Sequence, residues 1–464
     1  MNRTQEFVDN SESGREVGDS PTRPFLAALF TELESAQVRY CVMHSWDTLP
    51  DRIGSDLDLA VDPSDWKKLA AVVAALQGKG YLAVQYRSYA VNGARIDFGW
   101  SDRGLQFAAV DLICEYRYSG VTLNSGASLV SQRCWHPRGF WTASPITEFE
   151  YMTAKKILKA SISEEAQKRL RELADEIPET EALNILEKMF GDDEAEPVWR
   201  SMHDGSFPSR LQDLRGKLRK RNWIKHPFSL VRYVAEDLVR LVGRWRRPTG
   251  LLLVVLGPDG VGKDTLLSAI SERWSVPFRF VRHFHWRPGY VRKLKNFGGA
   301  VPEPHKNPPK GTLASVVALG SYVVDYCCAN VPLAAFRARS GFVLFNRYFH
   351  DLLVDPKRYR YGGPMWLARV CAYLIPPRKR LVLVLDADEA TVHGRKMELS
   401  LDEIKRQRSE YRRLLRYEGF VQLPADGGVE DVVEKANLLI MGYLSRRFML
   451  RYPEFSPQAI AQKC

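Results

Sequence analysis

The stretch LLLVVLGPDGVGKDTLLSAI, residues 251–270, decides how the second half of this chain folds. Leu251 to Leu256 is an unbroken apolar run of strand length, the pattern of a strand buried on both faces. Gly257, Gly260 and Gly262 then mark a turn, and Lys263 opens a segment with apolar residues at helical spacing. Strand, glycine turn and helix start make a cradle for phosphate. Backbone N–H groups close on the anion and the helix start adds positive potential. The spacing from Gly257 to Lys263 fits G-x-x-x-x-G-K. The candidate nucleotide-binding residues are therefore Gly257, Pro258, Asp259, Gly260, Val261, Gly262, Lys263, Asp264 and Thr265, with Lys263 on the terminal phosphates. Asp264 stands where a serine or threonine is usual. A carboxylate is a hard oxygen ligand, so Asp264 and Thr265 are the candidate Mg²⁺ ligands.

Downstream, apolar strands alternate with helices. VPFRFVRHFHW runs from strand into loop, and PEPHKNPPKG is a proline-rich loop. LASVVALGSYVVDYCCANVPLAAFRA is helical, GFVLFNRY ends a strand in Asn346-Arg347-Tyr348, and RLVLVLDAD is a further buried strand. This alternation implies a parallel sheet with helices on both faces and a ligand at the strands' carboxyl ends.

The order of these features resembles the thymidylate kinase family over residues 249–445. G-P-D-G-V-G-K-D-T is similar to that family's G-x-D-G-x-G-K-S-T, N-R-Y to its D-R-Y, and the basic stretch Arg395 to Arg408 to its lid. The resemblance implies an ATP- and Mg²⁺-dependent phosphotransferase. It implies Lys263 and Arg347 as catalytic groups, Asp259 near the acceptor, and Arg395, Lys396, Arg406 and Arg408 as lid cations. Asp325 joins Asp259 and Arg347 around the acceptor. Asn346 replaces the family's aspartate, and Asp351 or Asp386 is the expected substitute. FHDLLVDPKRYRYG stands where the family contacts its nucleoside, so a nucleotide and a sugar-type acceptor both remain open. The pairing of the two halves resembles thymidylate-kinase-like proteins of bacterial surface-polysaccharide biosynthesis.

The first half carries a second pattern. In Gly54-Ser55-Asp56-Leu57-Asp58-Leu59-Ala60-Val61 the two aspartates fall on one face of a strand. Adjacent carboxylates repel unless they share cations, which is the use of D-x-D beside metal-bound triphosphate. The helix, strand and G-S-D-x-D order resembles the polymerase-beta-type nucleotidyltransferase fold over about residues 24–190. That resemblance implies a third carboxylate, Asp111 in preference to Asp97, so Asp56, Asp58 and Asp111 are candidate metal ligands. The family's upstream glycines are absent; His44-Ser45-Trp46-Asp47 stands there. Lys155, Lys156 and Lys159 read as solvated helix lysines.

The expected fold class is α/β: a C-terminal P-loop kinase sheet plus an N-terminal α+β nucleotidyltransferase-like domain with a helical subdomain. The expected divisions are a disordered tail 1–23, the N-terminal domain 24–145, helices 146–205, a basic amphipathic linker 206–248, the P-loop domain 249–445 and a tail 446–464. Within 210–248, twelve Lys and Arg stand against three acids, with Trp223, Phe228, Val234, Leu238 and Trp245 interspersed. A connector that packs its apolar stripe on a domain is favoured over a helix on an anionic membrane surface.

The chain of 464 residues has net charge +12, which attracts phosphates and anionic surfaces. Seven scattered cysteines without a C-x-x-C support neither a zinc site nor a disulfide framework. The polar N-terminus is no secretory signal, and no uninterrupted apolar run approaches membrane-span length. The expectations are a cytoplasmic protein, peripheral at most on a membrane, acting on a small-molecule phosphate acceptor without nucleic acid; monomer and homodimer both remain open. The alternatives are nucleotidyl transfer in the first half and a non-catalytic nucleotide-binding scaffold.

Overall fold

The computed structural model describes residues 5–6, 20–54, 56–90, 93–118, 121–225, 228–290, 307–376, 380–395 and 400–455. The chain divides into two compact units. One holds Gly14–Trp100, Gln106–Val242 and the segment from Arg447; the other holds Gly243–Arg446 with the short segments Met1–Ser13 and Ser101–Leu105. Of the expected tail 1–23 the described residues are 20–23, where Arg23 already opens a helix, and β1 (Gln5–Glu6), which pairs antiparallel with Val281 and Phe280.

The N-terminal unit opens with α1 (Arg23–Ser35), started by a proline in its first turn. Its Phe25, Leu26, Leu29, Phe30 and Leu33 recur at helical spacing and are all buried. There follow β2 (Tyr40–Val42), β3 (Leu57–Val61), α2 (Leu69–Gly78), β4 (Leu82–Ala90), β5 (Gly93–Ser101) and β6 (Leu105–Ile113). A ribbon of β7 (Glu115–Tyr118) and β8 (Val121–Ser125) leads through α3 (Gly126–Ser131) to β9 (Cys134–His136) and β10 (Phe140–Thr142). The mixed sheet has the order β4-β5-β6-β3-β2-β10-β9. β3 runs parallel to β6, with Asp58 opposite Asp111.

Helices α4 (Pro145–Lys159), α5 (Glu164–Glu176), α6 (Glu179–Phe190) and α7 (Asp192–Asp204) build the helical part. Ser144 and Ser163 cap the first two of these, and Gly191 ends the third at φ 98°. The stretch expected as a linker is two helices, α8 (Phe207–Lys225) and α9 (Ser229–Arg246). α8 belongs to the helical core: Phe207, Leu211, Leu214 and Leu218, spaced by four, three and four, are buried with Phe149, Leu186 and Trp199.

The C-terminal unit contains β11 (Leu251–Leu256), α10 (Lys263–Arg273), β12 (Phe280–Phe284), α11 (Thr312–Ala338) and β13 (Gly341–Asn346). It continues through α12 (Asp351–Val354), α13 (Met365–Leu374), β14 (Leu381–Asp386), α14 (Glu389–Arg395), α15 (Leu401–Arg413), β15 (Phe420–Pro424) and α16 (Val429–Arg451). The sheet order is β1-β12-β13-β11-β14-β15, and every pairing except that of β1 is parallel. β11, β13 and β14 are buried along their whole length, as continuous apolar runs require. By length and composition α11 is able to cross a membrane, but its Leu319, Tyr326, Ala329 and Leu333 pack in the core of this unit. Residues 446–455, expected as a tail, continue α16 to Arg451 and put Phe448 and Phe455 into the core of the N-terminal unit.

Candidate functional site

The glycine loop leaves the central strand β11 and enters α10, between the carboxyl ends of β13 and β14. Gly257 has φ 149°, and a Cβ there would lie 3.0 Å from the Leu385 carbonyl and from Val261. Gly262 caps the helix at φ 99°. Both positions need glycine, the first for close approach and the second for handedness. Lys263 is buried, and its ammonium donates to the carbonyls of Gly257 (2.8 Å) and Pro258 (2.7 Å). Burial and the Arg347 charge push its pKa down to about 7, against the opposing pull of Asp259.

Asp259 binds Arg347 and Arg358 directly and lies 3.5 Å from Lys263. Burial alone would raise its carboxyl, but these three cations hold it well below the usual carboxylate range. Arg347 sits at φ 74°, a conformation that L residues seldom adopt and that its surroundings must enforce. Its guanidinium spans Asp259 and Asp351, the latter at 2.6 Å. Asp351 is fully buried and accepts from Tyr359 (2.6 Å) and Tyr411 as well. The cluster thus holds three cations, Lys263, Arg347 and Arg358, against two carboxylates. The Asp264 carboxylate stands one residue further along α10.

Asp351 and Asp386, the expected substitutes for the missing aspartate of N-R-Y, are both paired with cations, Asp351 with Arg347. Asp386 is held by Arg408, by Arg412 (2.7 Å) and by Gln422 (2.6 Å). Asp325 is fully buried and binds Arg287 (3.2 Å) and the backbone N–H groups of Gly289 and Tyr290. Arg406 is turned to the Val354 carbonyl (3.1 Å) and Glu403, not to the loop. Arg395 does approach the loop, 3.5 Å from the Val261 carbonyl. Lys396 lies outside the described residues. Sequence reasoning missed Arg358, Tyr359, Tyr411 and Arg412. The basic-aromatic run KRYRY was the signal for the first two, while Tyr411 and Arg412 sat unremarked in an arginine-rich helix.

Asp264 and Thr265 are exposed on the first turn of α10, and Asn346 donates its amide N–H to Asp264. Asn346 is buried, and its amide oxygen has no partner among the described residues. A carboxylate beside an orphaned amide oxygen is an all-oxygen donor set suited to Mg²⁺. No group of three or more His, Cys, Asp or Glu is placed to hold a metal among the described residues.

In the N-terminal unit Asp58, Asp111 and Asp56 influence one another electrostatically. Burial, then the negative Asp58, raise Asp111 to about 6. Asp58 is pulled the other way: burial would raise it, but His44 (2.7 Å) and Lys155 (3.1 Å) hold it below the usual range. Lys155 is therefore no solvated lysine. Its ammonium also meets Tyr151 (2.9 Å) and His44 (2.9 Å). Lys156 is half-buried and Lys159 exposed. Asp56 faces Arg95 at 3.3 Å, and Asp111 accepts from Tyr89 at 3.0 Å. Asp97 is committed to Arg87 and Arg95, both at 2.9 Å.

A parallel sheet whose central strand runs through a glycine loop into a lysine-led helix defines a P-loop α/β fold for the C-terminal unit. Two solved structures similar to part of the chain are thymidylate kinases. That of Ehrlichia chaffeensis is 14% identical with a TM-score of 0.28, over 41% of this chain and 98% of that one. That of Candida albicans is 15% identical with a TM-score of 0.31, over 45% of this chain and 94% of that one. No protein-family model and no curated protein sequence matches the chain.

Proposed function

We propose that the C-terminal unit is an ATP- and Mg²⁺-dependent phosphotransferase that moves the terminal phosphoryl group of ATP to a nucleotide or sugar-type acceptor. The observation that carries this reading is the cluster of Lys263, Arg347 and Arg358, the first two buried, gathered on Asp259 at the mouth of a glycine loop. Phosphoryl transfer demands positioning and neutralisation of spreading negative charge more than covalent help. Lys263 and the amides opening α10 hold the polyphosphate. Arg347 and Arg358 face the charge that develops on the transferred group. Asp259, Asp351, Tyr359 and Tyr411 fix those arginines before substrate arrives, so little reorganisation is left for the reaction itself. Mg²⁺, when bound, draws charge from the phosphate oxygens, and Asp264 with Asn346 would hold it. Labelled ATP offered with nucleoside monophosphates, sugars and sugar phosphates tests the proposal. Lys263→Ala is expected to cut transfer by about a hundredfold or more, while Asp58→Ala leaves it intact. Unchanged transfer in Lys263→Ala refutes the assignment.

The register of Asp58 against Asp111 supports a second reading, nucleotidyl transfer in the N-terminal unit. The joint replacement Asp56→Ala with Asp58→Ala then removes incorporation of label from the α-phosphate, and Lys263→Ala spares it.

A further inference from the structure

Helix α9 is built inside out. On a surface helix the apolar stripe normally faces the core and the charged side faces water. Here Val231, Val234, Leu238, Val242 and Trp245 share one arc of the helix at spacings of three and four, and all are exposed, Val231 by 67% and Leu238 by 57%. The opposite side carries Tyr233, Glu236, Asp237, Arg240 and Arg244, and these are the half-buried positions. Arg240 fastens that side to its own unit by donating to the Tyr89 carbonyl at 3.1 Å and by pairing with Asp237. Arg232 and Arg246 border the apolar arc and are exposed. Phe228, Ile224 and Trp223 extend the exposed apolar surface towards the end of α8.

Charge selects the occupant of this face. Residues 210–248 carry twelve Lys and Arg against three acids, which is nine of the chain's twelve net positive charges in a short stretch. A second copy of the same face would bring like charges together. A neutral protein groove would add no anionic partner to the one that Arg232 has in Glu236 at 2.8 Å. An anionic bilayer supplies both an apolar interior for the arc and phosphate headgroups for its borders, and tryptophan prefers that boundary. We propose that α9 lies in the plane of an anionic membrane surface, apolar arc inward, and holds the protein there as a peripheral protein. The helix carries too many charges along its length to span the bilayer.

Co-sedimentation of the full chain with phosphatidylcholine vesicles, with and without phosphatidylglycerol, tests this. The protein is expected to pellet with the anionic vesicles at low salt, to be partly released at high salt, and to ignore the neutral ones. Val234→Asp with Leu238→Asp is expected to lower vesicle partition by on the order of tenfold or more. Arg232→Gln with Arg246→Gln is expected to do the same. All four side chains are exposed, so these variants keep their circular dichroism and their ATP binding. Equal pelleting with neutral vesicles, or none with anionic ones, overturns the proposal. So does light scattering that shows a dimer dispersed by Val234→Asp with Leu238→Asp, since a second copy then covers the face.

Discussion

Asp264 and Asn346 exchange the chemistry expected at their two positions. The loop motif would place a neutral hydroxyl after the lysine, and the resemblance to thymidylate kinases implies a carboxylate at the end of the neighbouring strand. Here the carboxylate is on the loop and the neutral oxygen on the strand, and the two side chains touch. The pair keeps one negative charge in total. This predicts a reciprocal mutational pattern. Asp264→Ser removes the only carboxylate, and Asn346→Asp alone sets two carboxylates against each other; each is expected to weaken Mn²⁺ binding in the presence of ATP by about tenfold. The double variant restores the expected arrangement and recovers most of the loss, because contacting residues do not act additively. Electron paramagnetic resonance of Mn²⁺ reads all three; a double variant no better than the worse single one removes the exchange from consideration.

Strand pairing has its own electrostatic consequence. The parallel register of β3 and β6 sets Asp58 opposite Asp111, and Lys155 from α4 is spent on Asp58. Asp111 is left buried beside a negative neighbour and titrates near 6, above the ordinary value of about 4. The folded state therefore holds this proton more tightly than the unfolded chain. The associated stability is complete below about pH 4 and is lost as pH rises through 6. Asp111→Asn is expected to stabilise the N-terminal unit by about 2 kcal/mol at pH 8 and by almost nothing at pH 4. Urea unfolding at the two pH values checks this, and a gain equal at both rejects the electrostatic account.

At the scale of the whole molecule, the end of the chain stabilises its beginning. Phe448 and Phe455 are buried in the N-terminal core, Tyr86 packs on Tyr452 at 4.5 Å, and Gln77 donates to the Phe455 carbonyl at 2.9 Å. Phe448→Ala is expected to destabilise the N-terminal unit by about 3 kcal/mol. Calorimetry of the full chain is the measurement, and an unchanged thermogram counts against the contribution of α16 to this core.

Local patterns were enough for much of this protein. The run from Leu251 to Leu256 and the glycines after it specify a strand, a turn and a helix start, because each is a preference of neighbouring residues. The heptad-like Phe207, Leu211, Leu214 and Leu218 had the same legibility, yet the surrounding positive charge masked it in the reading of a linker. What tertiary structure alone decided is which charged groups meet. Arg358 reaches Asp259 from 99 residues away and Tyr411 reaches Asp351 from 60. Arg408 and Arg412 fold onto Asp386 instead of the loop. Lys155 is drawn in beside Asp58, and α9 turns its apolar side outward. Periodicity along a chain encodes which face of an element is apolar; it carries no information about the distant partner of a charge, which is set only when the sheet and its helices close together.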